Sequence, residues 1–311
     1  MNTPSIDELF ERRVIYPDFE PQERLARLVG LDDKKDRLSK MLGLLVNPKG
    51  LELWAEAHHP EAHRIVETVL RRPPLIVLAG DVGSGKTELA ETIGDSVARQ
   101  EDIEVTLFPL SLSSRGQGRV GEMTQLLTKA FDHVLDAGRK LQSTSGGHRG
   151  GIILLVDEAD ALAQSREAAQ MHHEDRAGVN AFIRGIDRVA NAKVPVAVIM
   201  CTNRLSALDP AIRRRAADVM TFSRPSKEQR SAVLAPFLEP LGFSVQEIDA
   251  IVEITGATSG RAYGLTFSDL TQRLIPAVVL DAYPTQKVDP ECAQRIAKEI
   301  PPTPPFQDDQ S

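Results

Sequence analysis

Apolar and polar positions divide the chain into two unlike parts. In the first part, short apolar runs rich in β-branched residues appear at Leu75–Leu78, Ile103–Leu110, Gly151–Val156 and Val194–Met200. Consecutive apolar residues, as in Gly151–Val156 and Val194–Met200, mark buried strands, whereas Ile103–Leu110 alternates and reads as another short strand. Helical spacing fills the intervals. Leu38, Met41, Leu42 and Leu45 share one helical face, with Asp32 and Asp33 in the first turn, where negative charge suits the helix dipole. Further helices are expected over Leu51–Leu70 (broken at Pro60), after Thr87, over Met123–Gln142 and over Arg176–Val189. Strands alternating with helices predict an α/β fold with a parallel sheet flanked by helices. From Arg224-Pro225 onward the strand-like runs stop, and helical spacing covers Lys227–Leu238, Ser244–Thr255 and Gly260–Ala282. The expected order is an N-terminal segment (1–28), a large α/β domain (29–223), a small all-helical domain (224–298) and a proline-rich tail (299–311) expected to be disordered. Within the first segment Ser5–Arg13 reads as a short helix, with Ser5 and Glu8 as a capping box.

Composition narrows the function classes. The 311 residues are 41% apolar, enough for a sizeable core, and the net charge is −7 without a long basic tract. General attraction to nucleic acid or an anionic membrane is therefore disfavoured. The two cysteines, Cys201 and Cys292, stand too far apart to frame a metal cage. The chain opens without a basic-then-apolar signal, and no apolar run approaches the ~20 residues of a membrane span, so a soluble cytoplasmic protein is expected. His59 and His63 are four apart, but Pro60 stands where a metalloprotease motif needs glutamate, and they read as surface histidines.

Candidate chemistry starts at the first strand. Leu75–Leu78 enters G-x-x-x-x-G-K-T: Gly80, Asp81, Val82, Gly83, Ser84, Gly85, Lys86 and Thr87. Strand, glycine-rich turn, helix is the order of a phosphate-binding loop, whose backbone N–H groups and helix N-terminus collect phosphate oxygens. Lys86 is placed to reach the β- and γ-phosphates and Thr87 to ligate Mg²⁺, so ATP and Mg²⁺ are the expected cofactors. The strand Ile152–Val156 ends in Asp157-Glu158. One carboxylate there suits Mg²⁺ held through water, and its neighbour suits polarisation of the attacking water. Asn203 ends the strand after that, at the sheet edge where ligands bind in open α/β folds.

Taken in order from Val29 to Ala282, these motifs resemble the AAA+ ATPases. Gly80–Thr87 looks like the Walker A loop and Ile152–Glu158 like Walker B. Asn203 matches sensor 1, Val29-Gly30-Leu31 the adenine-side motif, and Gly260-Arg261 the sensor 2 region, where Arg261 contacts nucleotide. Arg214 and Arg215 follow Leu208-Asp209-Pro210-Ala211, where AAA+ rings place the arginine finger that reaches a neighbouring subunit. Thr258-Ser259-Gly260-Arg261, and Asp175-Arg176 through Ile186-Asp187, are similar to the pachytene-checkpoint branch. That resemblance implies a homo-oligomeric ring, hexameric in the family, which remodels a HORMA-domain protein. In bacteria it also implies an associated nucleotidyltransferase and antiphage defence. The pore loop falls on Arg115, Gly116, Gln117, Gly118 and Arg119, which lack the bulky aromatic pair of the eukaryotic members. Those members also carry an N-terminal recognition domain for which this chain has no room. The rival expectation is an AAA+ loader or switch acting on a DNA-associated complex.

Overall fold

A computed structural model of the chain describes residues 9–10, 12–112, 122–142, 149–163, 173–204, 208–258 and 260–305, without the side chains of 161, 163 and 173–175. The pore-loop residues Arg115 to Arg119, Ser259 and most of the expected helix Ser5–Arg13 lie outside the described residues. The chain forms two compact units: one of 1–26, 33–79 and 87–221, the other of 27–32, 80–86 and 222–311.

The first unit is built on a six-stranded sheet in the order β1-β3-β4-β5-β2-β6. Its elements are β1 (Val14–Tyr16), α1 (Phe19–Ala26), α2 (Asp32–Val46), α3 (Pro48–His58), α4 (His63–Leu70), β2 (Leu75–Gly80), α5 (Lys86–Glu101), β3 (Glu104–Ser111), α6 (Glu122–Leu141), β4 (Gly150–Asp157), α7 (Asp160–Ala163), α8 (His173–Ala192), β5 (Val196–Thr202), α9 (Pro210–Arg213) and β6 (Ala216–Phe222). β3–β4, β4–β5 and β2–β5 pair in parallel, as the alternating pattern predicts. β1 is an added antiparallel edge on β3. Each central strand is buried along almost its whole length, which explains the unbroken apolar runs. On one face Ile152, Leu154, Val156 and Val198 pack with Phe131 and Val134 of α6 and Val179, Phe182 and Ile186 of α8.

The described residues of the N-terminal segment up to Ala26 are part of this unit. Leu9 and Phe10 are buried in the core, with the Phe10 ring 4.9 Å from that of Phe108. Arg24 clamps Glu88 and Glu91 of α5 with bonds of 2.8 Å. Register sets the functional edge: Ala79 lies opposite Thr202, and Val156 opposite Met200, so the C-terminal ends of β2, β4 and β5 lie side by side.

The second unit is helical, with α10 (Lys227–Leu238), a 3₁₀ turn (Glu239–Leu241), α11 (Val245–Ile254), a π-helical turn (Asp269–Leu274), α12 (Ile275–Ala282) and α13 (Pro290–Glu299). Capping boxes at Ser226/Gln229 and Ser244/Glu247 start α10 and α11. Leu234, Val252, Leu265, Leu270, Leu274 and Ala297 form its core.

Two expectations are corrected here. Gly260–Ala282 is not one helix. The Thr266 hydroxyl accepts from the N–H of Asp269, and Asp269 Oδ2 accepts from the N–H of Thr266, both at 3.0 Å. This reciprocal cap starts the helical segment only after Thr266. The tail is not free from residue 299 either. Thr303 donates its N–H (3.0 Å) and hydroxyl (2.7 Å) to the carboxylate of Asp269, and its C=O accepts from Arg224 (2.6 Å).

Candidate active site: phosphate loop, acidic strand end and arginine helix

The phosphate loop, 80–86, belongs to the second unit. Gly80 has φ 143°, and a Cβ there would fall 1.9 Å from the carbonyl oxygen of Phe222, so no side chain fits. Gly83 (φ 66°) would meet the Thr266 hydroxyl at 2.8 Å, while its C=O accepts from the N–H of Ser268 at 3.2 Å. Lys86 is buried and donates to the carbonyls of Asp81 (2.7 Å) and Gly80 (3.1 Å). Ser84 donates to the same Asp81 carbonyl at 2.6 Å, and Asp81 Oδ1 accepts from the N–H of Val82 at 2.9 Å. Gly85 has φ 89°. The Val29-Gly30-Leu31 segment lies in this unit too. Leu31 is buried, and Gln229, while capping α10, donates to the C=O of Gly30 at 2.7 Å. Val29 packs on the helical core.

The first unit contains an acidic strand end. Asp157 terminates β4, and Thr87 in the first turn of α5 donates to its Oδ1 at 3.3 Å. Burial pushes the Asp157 carboxyl above its ordinary value, against the opposing N–H of Glu158 and hydroxyl of Thr87. A hydroxyl beside a half-buried carboxylate is a hard-oxygen pair suited to Mg²⁺, and a bound cation would return that carboxyl to its ionised form. Glu158 has φ 52°, a left-handed conformation uncommon outside glycine and enriched at functional sites. Its Oε2 accepts from Ser111 at 2.6 Å.

Asn203 is fixed by a residue whose role the motif spacing does not reveal. Asp160 Oδ1 accepts from the Thr202 hydroxyl (2.8 Å) and the Asn203 N–H (2.7 Å), and Oδ2 accepts from Asn203 Nδ2 (3.0 Å). Because a carboxylate only accepts, the Asn203 amide must present its NH₂ to Asp160 and turn its carbonyl oxygen away. The sequence signal for Asp160 is its place two residues after Glu158.

The two candidate finger arginines differ. Asp209 caps the short helix α9, accepting from the N–H of Ala211 at 2.7 Å. Arg215 is forked onto Asp187 of α8, Nε at 2.6 Å and Nη2 at 3.0 Å. Arg214 is exposed, and its Nε donates to the carbonyl of Pro210 at 3.3 Å. Arg261, in the helical unit, donates to the carbonyls of Ile254, Ala297, Lys298 and Ile300 at 3.0–3.1 Å.

No helix among the described residues is long and apolar enough to cross a membrane.

Comparison with known proteins shows the family. Residues 76–224 match the model of the ATPase family associated with various cellular activities (AAA). The chain is 65% identical over 307 residues to CD-NTase-associated protein 6 of Escherichia coli (strain MS 115-1), covering 99% of each chain. Among solved structures it is similar to a chain of an Escherichia coli HORMA:CdnC:Trip13 complex, with TM-score 0.89 and 63% identity over 98% of this chain and 100% of that one. It is also similar to a Rhizobiales Trip13, with TM-score 0.74 and 54% identity over 95% of this chain and 100% of that one.

Proposed function

We propose that this chain, which belongs to the AAA ATPases as a bacterial Trip13-like member, is an ATP-driven ring that remodels a HORMA-domain protein bound to a nucleotidyltransferase. The observation that carries the catalytic half is the meeting of Thr87, Asp157 and Glu158 at the ends of α5 and β4. The partners are supported by the full-length similarity to a Trip13 chain solved with HORMA and CdnC. Antiphage defence in the cytoplasm is the setting that fits those partners.

Each residue then has a task. Lys86 and the loop N–H groups hold the triphosphate, and Thr87 and Asp157 hold Mg²⁺, which supplies charge neutralisation when bound. Glu158 positions and polarises the attacking water, and Asn203, aimed by Asp160, orients it. Val29, Gly30 and Leu31 line the adenine side. Arg214 reaches the γ-phosphate held by a neighbouring subunit, as part of a hexamer, while Arg215 braces α9 on Asp187. Arg261 acts from the helical unit, and reaching nucleotide requires it to leave its four carbonyl acceptors. The loop containing Arg115 and Arg119 engages the protein substrate without aromatic grip.

The test is capture. Glu158→Gln, charged with ATP and isolated from its native host, is expected to retain a HORMA protein that wild type releases. Recovery of that protein in equal amount with Lys86→Ala would count against ATP-dependent engagement. The DNA-loader alternative predicts an ATPase activity stimulated by DNA and falling steeply with salt.

A further inference from the structure

Asp81, the second residue of the phosphate loop, places a carboxylate where phosphate oxygens are to be collected. Its side chain and that of Arg224 are 17% and 14% exposed, and the pair is joined by Arg224 Nε donating to Asp81 Oδ2 at 2.6 Å. The same guanidinium donates through Nη1 to the carbonyl of Gly264 and through Nη2 to the carbonyl of Thr303, each at 2.6 Å. Its Cζ lies 4.6 Å from the centre of the Tyr263 ring. Three diverging acceptors and a ring face are matched by a planar fork and not by a lysine ammonium.

We propose that Arg224 is the positioning residue of the phosphate loop: it neutralises Asp81 and ties the loop to the C-terminal segment at Thr303. Two consequences of losing Arg224 act in one direction. The Asp81 carboxylate is left uncompensated against an incoming polyanion. Asp81 also loses its side-chain tether, keeping its N–H on the C=O of Phe222 at 3.0 Å, and its carbonyl is the acceptor shared by Lys86 and Ser84. A second tether runs parallel. Ser268 donates to the C=O of Gly83, Thr266 packs beneath that glycine, and Thr266 and Thr303 share the carboxylate of Asp269. Both tethers therefore end on Thr303, whose C=O serves Arg224 and whose hydroxyl serves Asp269.

The inference rests on Gly80–Lys86 being the nucleotide site, and the experiment separates the two ideas. A fluorescent ADP analogue is titrated into wild type, Lys86→Ala, Arg224→Ala, Asp81→Ala and the Arg224→Ala/Asp81→Ala double variant, with ATP turnover and Tm measured for each. Arg224→Ala is expected to weaken nucleotide binding on the order of tenfold, a size typical of breaking one partly buried charge pair, while kcat at saturating ATP changes less than about threefold. Adding Asp81→Ala is expected to recover most of that loss. A purely structural role would instead lower Tm further without recovering affinity, and would overturn the proposal. Unchanged affinity in Arg224→Ala beside lost binding in Lys86→Ala overturns this inference alone. Unchanged affinity in Lys86→Ala removes the loop assignment and this inference with it. If Arg224→Ala does not fold, Arg224→Lys carries the same cycle, with an affinity between wild type and the expected tenfold loss. Wild-type affinity there overturns the requirement for a fork.

Discussion

Replacing Asp160 by asparagine turns one acceptor oxygen into a donor and leaves the shape almost unchanged. Asp160 Oδ1 can go on accepting from Thr202 and from the N–H of Asn203, but the second position now carries NH₂ opposite Asn203 Nδ2. Two donors 3.0 Å apart repel, and the least costly escape is a half-turn of the Asn203 amide. That turn restores a hydrogen bond to residue 160 and exposes NH₂ where the carbonyl oxygen had been. The stability cost is then the charge-assisted part of one hydrogen bond, about 1 kcal/mol, or roughly 2–4 °C in Tm for a chain of this size. Under the proposed function the catalytic cost is much larger, because the group assigned to orient the attacking water changes from acceptor to donor. Water orientation and proton handling of this kind contribute about 10²–10⁴ in rate. Asp160→Asn is therefore expected to lose at least about 10²-fold in kcat by phosphate release at saturating ATP, with nucleotide affinity within about threefold of wild type. Turnover above half of the wild-type value, with normal folding, would refute the claim that Asp160 acts through the orientation of Asn203.

Other expectations follow from the same contacts. Arg214→Ala is expected to lose about 10³-fold or more in turnover with Tm unchanged, whereas Arg215→Ala, which breaks a half-exposed fork onto Asp187, costs about 0.5–1 kcal/mol of stability. Thermal melts and phosphate release on both variants decide it, and a melting loss confined to Arg214→Ala would reverse the assignment. Asp269 is buried, which alone would raise its pKa, yet the N–H groups of Thr266 and Thr303, the Thr303 hydroxyl and Arg273 outweigh burial and hold it at about 2. Its folded pKa lies below the ordinary 3.8, so its contribution of about 2 kcal/mol is present above that value and lost as pH falls toward about 2. Asp269→Asn should lower stability at pH 7 and flatten its decline between pH 4 and 2 (denaturant melts at stepped pH), and an unchanged slope would contradict this.

What the sequence reveals depends on how local the physical cause is. β4 and β5 are legible because both faces are covered, which writes an unbroken apolar run into the chain. β6 leaves no such trace: it is an edge strand with half-exposed Ala216, Ala217, Asp218 and Val219, and β1 is only three residues long. The breaks at Pro60 and at Arg224-Pro225 are local and legible, whereas the late start of the π-helical turn depends on the pairing of Thr266 with Asp269. Motif spacing names Lys86, Thr87, Asp157, Glu158 and Asn203 as a group, but beyond the place of Asp160 two residues after Glu158 it does not show what supports them. Asp160 grips a residue 43 positions away, and Arg224 grips one 143 positions away, distances over which periodicity says nothing.

Under the proposed function, ATP hydrolysis at this site separates a HORMA protein from its nucleotidyltransferase. The most direct measurement uses the purified HORMA–nucleotidyltransferase complex with a fluorescent label on each partner, and follows loss of energy transfer after adding this protein and ATP. Wild type is expected to separate the pair only with ATP, and Lys86→Ala and Glu158→Gln not at all. Separation that proceeds equally with ADP, or with Glu158→Gln, would contradict it.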